Sequence, residues 1–400
     1  MKHTRARNRH SAVRMLALTS AAGLLVAGCS SAGATDSGTG ATGKPARDAT
    51  TSGGPSAIAV DTGTTGKITV KAQGGVLTSV DVSAPGPGKV EGSLSADKSV
   101  WTSTTPLSPG ATYTISAQGT GGDGAPLSKS SNFTTPAAKS TFVGTYNVDK
   151  ESTVGVALPV SITFNKPIHD KAAVERKLTV TSSPAVEGAW SWMKDRDGKD
   201  RIDYRPKEYW KPGTDVTLRM DLAGVDAGSG VYGTQKRVVN FRIGEAVTST
   251  VDVVKKTMTV SRNGKALRTL KVSTGKETFE TWNGTMVVLG KVPSIRMNSS
   301  TVGIFGPEAY DMEDVKWDVQ LTPSGTYAHA APWNEGKFGR VNASHGCIGM
   351  STADAKWFYD QVRFGDPVTV VNSTDTVAVN NGYGAWNVDW ETWKKGSALS

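Results

Sequence analysis

The sequence predicts a mainly β protein of several units: two small sandwiches in tandem, then a third β-rich unit with one clear helix and a short tryptophan-rich end. Three observations carry this. Short runs of alternating apolar and polar residues recur from about residue 56 to 341, and Gly and Pro break them at short intervals. The pattern of 56–137 returns, degenerate, in 138–245. Only the segment after Ser351 carries the apolar spacing of a helix.

At 400 residues the chain has room for two to three folded units, and its start belongs to none of them. Lys2, Arg5, Arg7, Arg9 and Arg14 form a basic leader, and an apolar run from Met15 to Gly28 follows. The run is too short for a permanent membrane span and has signal-peptide proportions, so residues 1–28 are expected to be removed. Val26, Ala27 and Gly28 precede Cys29, which resembles a bacterial lipobox. That resemblance implies a lipid on Cys29 and a place on the extracytoplasmic face of the cell membrane. Residues 29–55 are Ser, Gly, Thr, Ala and Asp with almost no large apolar side chain, the composition of a flexible tether.

The leader takes five of the 45 basic residues and none of the 36 acidic ones. The remaining 40 against 36 give net +4, with no dense basic patch interleaved with aromatics. Nucleic acid is therefore not an expected partner.

Within 56–137, Lys67 to Lys71 and Tyr113 to Ser116 read as strands. Within 138–245, Val160 to Phe164 and Val216 to Met220 do the same. Val90-Glu91-Gly92 matches Val186-Glu187-Gly188, and Pro109-Gly110 matches Pro212-Gly213 at the head of similar runs. Two immunoglobulin-like sandwiches follow, with a stalk as their expected role. Trp190, Trp192, Tyr209 and Trp210 are read as core residues; a glycan platform is the rival reading.

The third unit covers 246–373. Thr257 to Ser261 and Leu267 to Val272 flank Asn263-Gly264, a strong hairpin signal. Ser351 can cap the helix, with Asp354 three residues on. Ala355, Phe358 and Val362 share a face, and Gly365 is the expected stop. A last strand, Val368 to Val371, closes the unit. In the remaining 374–400, Trp386, Trp390 and Trp393 are expected to pack back onto the third unit.

Past residue 28 only three histidines remain, His169, His329 and His345, and Cys347 is the sole thiol other than Cys29. A lone thiol in an exported chain is a hazard unless it has a task. A thiol titrating near about 8.5 needs a base or a positive field to react near neutral pH, and a nearby imidazole supplies one. Either histidine is compatible with the sequence. His345 lies two residues from Cys347, about 7 Å away in extended chain. His329 would arrive from a neighbouring strand, the geometry favoured here. Gly346 leaves room for a tetrahedral intermediate, and the backbone N–H groups of 345–347 are candidates for an oxyanion hole. The helix that follows would favour the thiolate modestly. One Cys and two His, with no CxxC and no HExxH, make a poor zinc site, and no GxSxG supports a serine hydrolase.

His329, separated by 17 residues from Cys347, and Ser344-His345-Gly346-Cys347 resemble the signature of the L,D-transpeptidases. The tandem sandwiches, lipobox and tether resemble the membrane-attached multidomain members from actinobacteria. The resemblance implies Cys347 as nucleophile, His329 as general acid and base, and the Ala330 carbonyl as the group that orients the imidazole. It implies substrate contacts at Tyr310, Ser324, Gly325, Trp333, Ser344 and His345, and a mobile lid from Met297 to Tyr310. It implies no cofactor and no metal. A calcium loop found in some relatives is matched here only by 226–230, which has one carboxylate, Asp226. Gly349 departs from the pattern, since many members have Asn there, and substrate preference is where the departure bears.

The implied reaction joins two peptidoglycan tetrapeptide stems, donor and acceptor, in a 3→3 cross-link. It proceeds through a Cys347 thioester with loss of D-alanine, and carbapenem β-lactams are the implied inhibitors. Hydrolysis or exchange with a free D-amino acid would use the same residues. A silent wall-binding stalk is countered by the intact Ser-His-Gly-Cys. A sortase-like enzyme would need an Arg in the pocket, and Arg363 on the helix side is not placed there.

Overall fold

The computed structural model describes residues 56–62, 67–105 and 107–400. The leader, Cys29 and the 29–55 tether lie outside the described residues. Among those described, no helix is long and apolar enough to cross a membrane.

The first sandwich pairs two four-stranded sheets. One runs Ala57–Asp61, Thr69–Gln73, Val100–Ser103, Gly92–Leu94; the other Gly88–Lys89, Gly75–Ala84, Thr112–Gly121, Pro126–Thr134. Alternation along these strands sends Val70 and Trp101 from one sheet, and Leu77, Tyr113 and Ile115 from the other, into one core. The second sandwich is built alike. Gly144–Tyr146, Val160–Phe164, Asp200–Pro206 and Gly188–Lys194 face Thr153–Val154, Lys236–Ile243, Asp215–Asp221 and Leu178–Ser183.

The repeat seen in the sequence has a physical basis. Gly92 pairs with Ser103, and a Cβ on it would fall 2.1 Å from the ring of Trp101, two residues away. Gly188 pairs with Pro206, and its Cβ would fall 2.1 Å from the hydroxyl of Tyr204, again two residues away. Both positions need glycine because an aromatic ring on the neighbouring strand fills the space of a side chain. The matched Pro-Gly turns also coincide: Gly110 and Gly213 have φ of 66° and 81°. Trp190 and Trp210 are buried core residues, Trp192 stacks on Phe164, and Tyr209 meets Trp386 edge-on, as a core reading requires.

The third unit is two sheets around one core. A five-stranded sheet has the order Lys265–Lys271, Thr257–Arg262, Val247–Asp252, Pro367–Val371, Gly284–Val287. A four-stranded sheet runs Gly290–Asn298, Asp311–Gln320, Tyr327–Ala330, Ile348–Met350. The predicted hairpin forms with Asn263 and Gly264 both at positive φ, 50° and 80°, the turn whose twist matches the strands.

The helix Thr352–Gln361 starts as expected, with Ser351 Oγ accepting from the Asp354 N–H at 3.1 Å. It stops earlier than expected. Val362 is already extended, because its side chain must reach the core beside Phe358 and Ala355. Gly365, at φ 94°, belongs to the following turn. Two five-residue helices, Lys171–Glu175 and Trp390–Lys394, were too short to leave a periodic signal.

The C-terminal segment corrects the sequence reading. Its three tryptophans pack on the second sandwich rather than on the third unit. The indole N–H groups of Trp386, Trp390 and Trp393 donate to Ala157 O, Glu187 Oε1 and Ala189 O. Their rings surround the buried Arg205 guanidinium at 4.9, 5.2 and 5.1 Å. Arg205 has no carboxylate in an ion pair among the described residues, so three π faces and the carbonyls of Val388, Pro206 and Lys207 meet its charge. Asn387 turns the other way, exchanging two hydrogen bonds with the Thr285 backbone of the third unit. The segment thus straps the second sandwich to the third unit.

Candidate active site

The site is fixed by a parallel pair of short strands. In Tyr327–Ala330 and Ile348–Met350, Ala328 lies opposite Ile348 and His329 opposite Gly349. Ala328 and Ile348 are fully buried in the core, so alternation turns His329 and the flanking Cys347 to the other face. There they line one pocket of about 260 Å³ with Tyr310, Trp333, Ser344, His345 and Gly349. Met297 and Met312, which face each other across neighbouring strands, line it too, as do Ala331, Asn334 and Ala343.

His329 is held by its neighbour: Nδ1 lies 2.8 Å from Ala330 O, which leaves Nε2 free to face the pocket. Trp333 stacks on its imidazole at 5.9 Å. The Ser344–Cys347 turn is closed internally. Ser344 Oγ donates to Cys347 O at 2.6 Å and accepts from the Gly346 N–H at 3.2 Å. Gly346 has φ of 111°, a conformation few side chains adopt, so the turn itself requires glycine. Its amide is occupied by Ser344 in this state.

Two expectations are modified. First, the Cys347 thiol donates to Gly325 O at 3.6 Å, and no hydrogen bond joins it to His329. Second, Cys347 shows no sign of a ready thiolate. Burial pushes its thiol up to about 11, and burial pulls His329 down to about 4. The strand Ile348–Met350 separates Cys347 from the helix, and no thiolate-favouring effect of the helix N-terminus is evident. The resting pair is neutral thiol and neutral imidazole. Alkylation of Cys347 by iodoacetamide should therefore rise through pH 9 without a plateau, because only the thiolate reacts. A plateau between pH 6 and 8, read by mass spectrometry against time, would show a standing ion pair instead.

His345 lines the pocket but is engaged away from the thiol. Its Nε2 lies 2.6 Å from Glu308, and its ring contacts Phe279 and Tyr310 at 4.8 and 5.2 Å. Lys276 donates to the same Glu308 oxygen at 2.6 Å. Hydrogen bonds from Lys276 and then His345 hold the Glu308 carboxyl below its usual range. Glu308 belongs to the expected lid. That segment forms two short turns, Ser299–Val302 and Gly306–Glu308, with Arg296 and Asp311 paired at its base. Sequence reading missed Glu308 and Lys276, since two opposite charges 32 residues apart give no local signal.

Ser324 is placed differently from expectation. Its hydroxyl meets Thr322 at 3.0 Å and accepts from Asn381 Nδ2 at 2.9 Å, and it is not among the pocket-lining residues. Gly325, at φ 100°, brings its carbonyl to the thiol and sits against Val302 of the 297–310 segment. Gly349 is confined: a Cβ there would lie 3.0 Å from that of Ala331. Among the described residues no cluster of ligands suits a metal ion, and Asp226 accepts from the Gly228 N–H of its own turn.

Comparison with known proteins accords with this geometry. Residues 59–226 match the model of the bacterial Ig domain, and residues 247–370 match that of the L,D-transpeptidase catalytic domain. The chain is 37% identical over 334 residues to L,D-transpeptidase 2 of Mycobacterium tuberculosis, covering 83% of this chain and 80% of the relative. It is 35% identical over 314 residues to L,D-transpeptidase 5 of the same species, covering 78% and 68%. A solved LD-transpeptidase in complex with imipenem superposes with TM-score 0.50 at 33% identity, over 57% of this chain and 97% of that one. With its immunoglobulin-like region, its β-rich catalytic domain and a relative matched over four-fifths of its length, the chain belongs to the L,D-transpeptidase family.

Proposed function

We propose that the chain forms 3→3 cross-links between peptidoglycan stems through a thioester on Cys347. The observation that carries this is the pairing of His329 and Cys347 on one face of adjacent parallel strands, in one pocket, with Ala330 O fixing the imidazole.

A donor tetrapeptide enters between Trp333 and Tyr310. Its third-residue carbonyl carbon approaches Cys347 Sγ. The thiol proton passes to His329 Nε2 as the C–S bond forms, so the nucleophile is made when the substrate displaces water, not before. The oxyanion is met by the backbone N–H groups of His345 and Cys347, since that of Gly346 is held by Ser344 Oγ. The imidazolium then gives its proton to the departing D-alanine nitrogen as the C–N bond breaks, leaving the thioester. The side-chain amine of the acceptor's third residue attacks that carbonyl and loses its proton to His329. The C–S bond breaks, the sulfur recovers a proton from His329, and the new amide leaves. Carbapenems acylate the same sulfur through ring opening. Lipid on Cys29 and the 29–55 tether keep the enzyme at the outer membrane face, a reading supported by the basic leader, the apolar run and the lipobox-like residues.

The test is mass analysis of products from a tetrapeptide stem incubated with the full chain. The expected product is a dimer lighter than two stems by one D-alanine, with the free amino acid released. A tripeptide acid alone would make the enzyme a hydrolase, and unchanged stem would remove the reading.

A further inference from the structure

Asp318 is a fully buried carboxyl that the mechanism above does not use. Both of its side-chain oxygens lack a hydrogen-bond partner. It stands in Asp311–Gln320, the strand beside the one that bears His329. In that ladder Val319 is opposite Ala328 and Gln320 opposite Tyr327. Val319 and Ala328 are core residues, so alternation turns Asp318 to the opposite face, the one that carries Tyr327, His329 and Cys347. Trp317, at φ 60°, breaks the alternation just before it.

Among the described residues no cation pairs with this carboxyl. The strand on its other side sets Val292 opposite it. Lys291 next to Val292 donates to the carbonyls of Tyr359 and Val362, and Lys316 on its own strand pairs with Asp314. Tyr327 and Cys347 lie within its field, and an ionised Asp318 pushes both up. His329, which the same register sets beside Asp318 on the neighbouring strand, is pulled down by burial against the hydrogen bond to Ala330 O.

We propose that Asp318 is a positioning residue of the reactive centre: a buried carboxyl that acts on Cys347 by charge alone and sets how readily the thiol ionises as pH rises. This rests on the reading of Cys347 as nucleophile. As a neutral acid, Asp318 leaves the thiol unopposed. As an anion in a dry site, it places a like charge near the forming thiolate and disfavours it. Burial holds the Asp318 carboxyl up to about 7, so the change falls across neutral pH. The enzyme would thereby lose part of the gain in thiolate that alkaline conditions otherwise bring, while the rise with pH continues.

The test measures the rate of Cys347 alkylation by iodoacetamide, a neutral probe, from pH 5.5 to 9.5 in the full chain, with Asp318→Asn and Asp318→Ala. Imipenem adduct formation by intact mass is read on the same preparations and on Cys347→Ala. Wild type and both variants should react equally at pH 5.5. Above pH 7 they should diverge, the variants reaching about three- to tenfold faster rates at pH 9, since one unit of thiol pKa is tenfold in thiolate. Superposed profiles, or slower variants (action through His329 instead), overturn the proposal. If neither variant folds, the carboxyl carbon of Asp318 followed by NMR in the wild-type chain decides it, and a midpoint in the ordinary range below about 5 overturns it. An imipenem adduct absent from wild type, or kept by Cys347→Ala, would instead sink the nucleophile assignment itself.

Discussion

Cys347→Ala is expected to lose carbapenem adduct formation and stem cross-linking together, by at least about 10⁴-fold in single-turnover rate. Intact-protein mass spectrometry reads the first and product analysis the second. The size of the effect follows from chemistry. Cys347 is the sole cysteine among the described residues, and the pocket around it offers no substitute nucleophile with a base beside it. His329→Ala should fall by about 10²–10⁴-fold, because the thiol then has to ionise unaided from its raised value of about 11. The double variant should be no slower than Cys347→Ala, since the two residues act as one unit. A Cys347→Ala protein that still forms the adduct would move the chemistry elsewhere in the molecule.

Trp393→Ala is expected to cost about 3–5 kcal/mol in stability, the range for emptying a buried aromatic site. Its ring is 1% exposed, packs against the Arg205 guanidinium at 5.1 Å, and donates its N–H to Ala189 O at 3.0 Å. Removing it opens a cavity, takes one of three aromatic faces from a buried cation, and unties the strap at its far end. The thermal midpoint should drop by about 5–10 °C. Imipenem adduct formation at low temperature should change little, because the strap does not enter the pocket. A midpoint within 1–2 °C of wild type would show that Trp386 and Trp390 hold the strap without it.

The resting site explains how the chain can carry a free thiol without a standing thiolate. A standing thiolate would be open to oxidants, whereas a buried thiol pushed up to about 11, in one pocket with an imidazole pulled down to about 4, stays protonated at neutral pH. In the proposed mechanism the proton transfer to His329 is coupled to bond formation. Glu308, gripped by Lys276 and His345, ties the 297–310 segment to the turn that carries Cys347. The position of that segment and the position of Cys347 are thus linked through one carboxylate.

Much of this was written in local sequence. Strand alternation, the Asn263-Gly264 turn, the Ser351 cap and the paired Pro-Gly turns depend on neighbours a few residues apart, so they are legible without a fold. The candidate site was legible for a different reason: with three histidines and one thiol past residue 29, scarcity singled out Cys347, and strand geometry together with family resemblance favoured His329 over His345. What only the tertiary structure decided depends on residues far apart in the chain. The three tryptophans face Arg205 about 180 positions upstream, and nothing local reveals a buried cation that needs aromatic faces. Ser324 is drawn from the pocket by Asn381, and His345 is drawn to the lid by Glu308. The protonation state of the site was equally hidden, because burial governs it, and burial is a property of how the sheets close over Cys347, His329 and Asp318, not of the residues themselves.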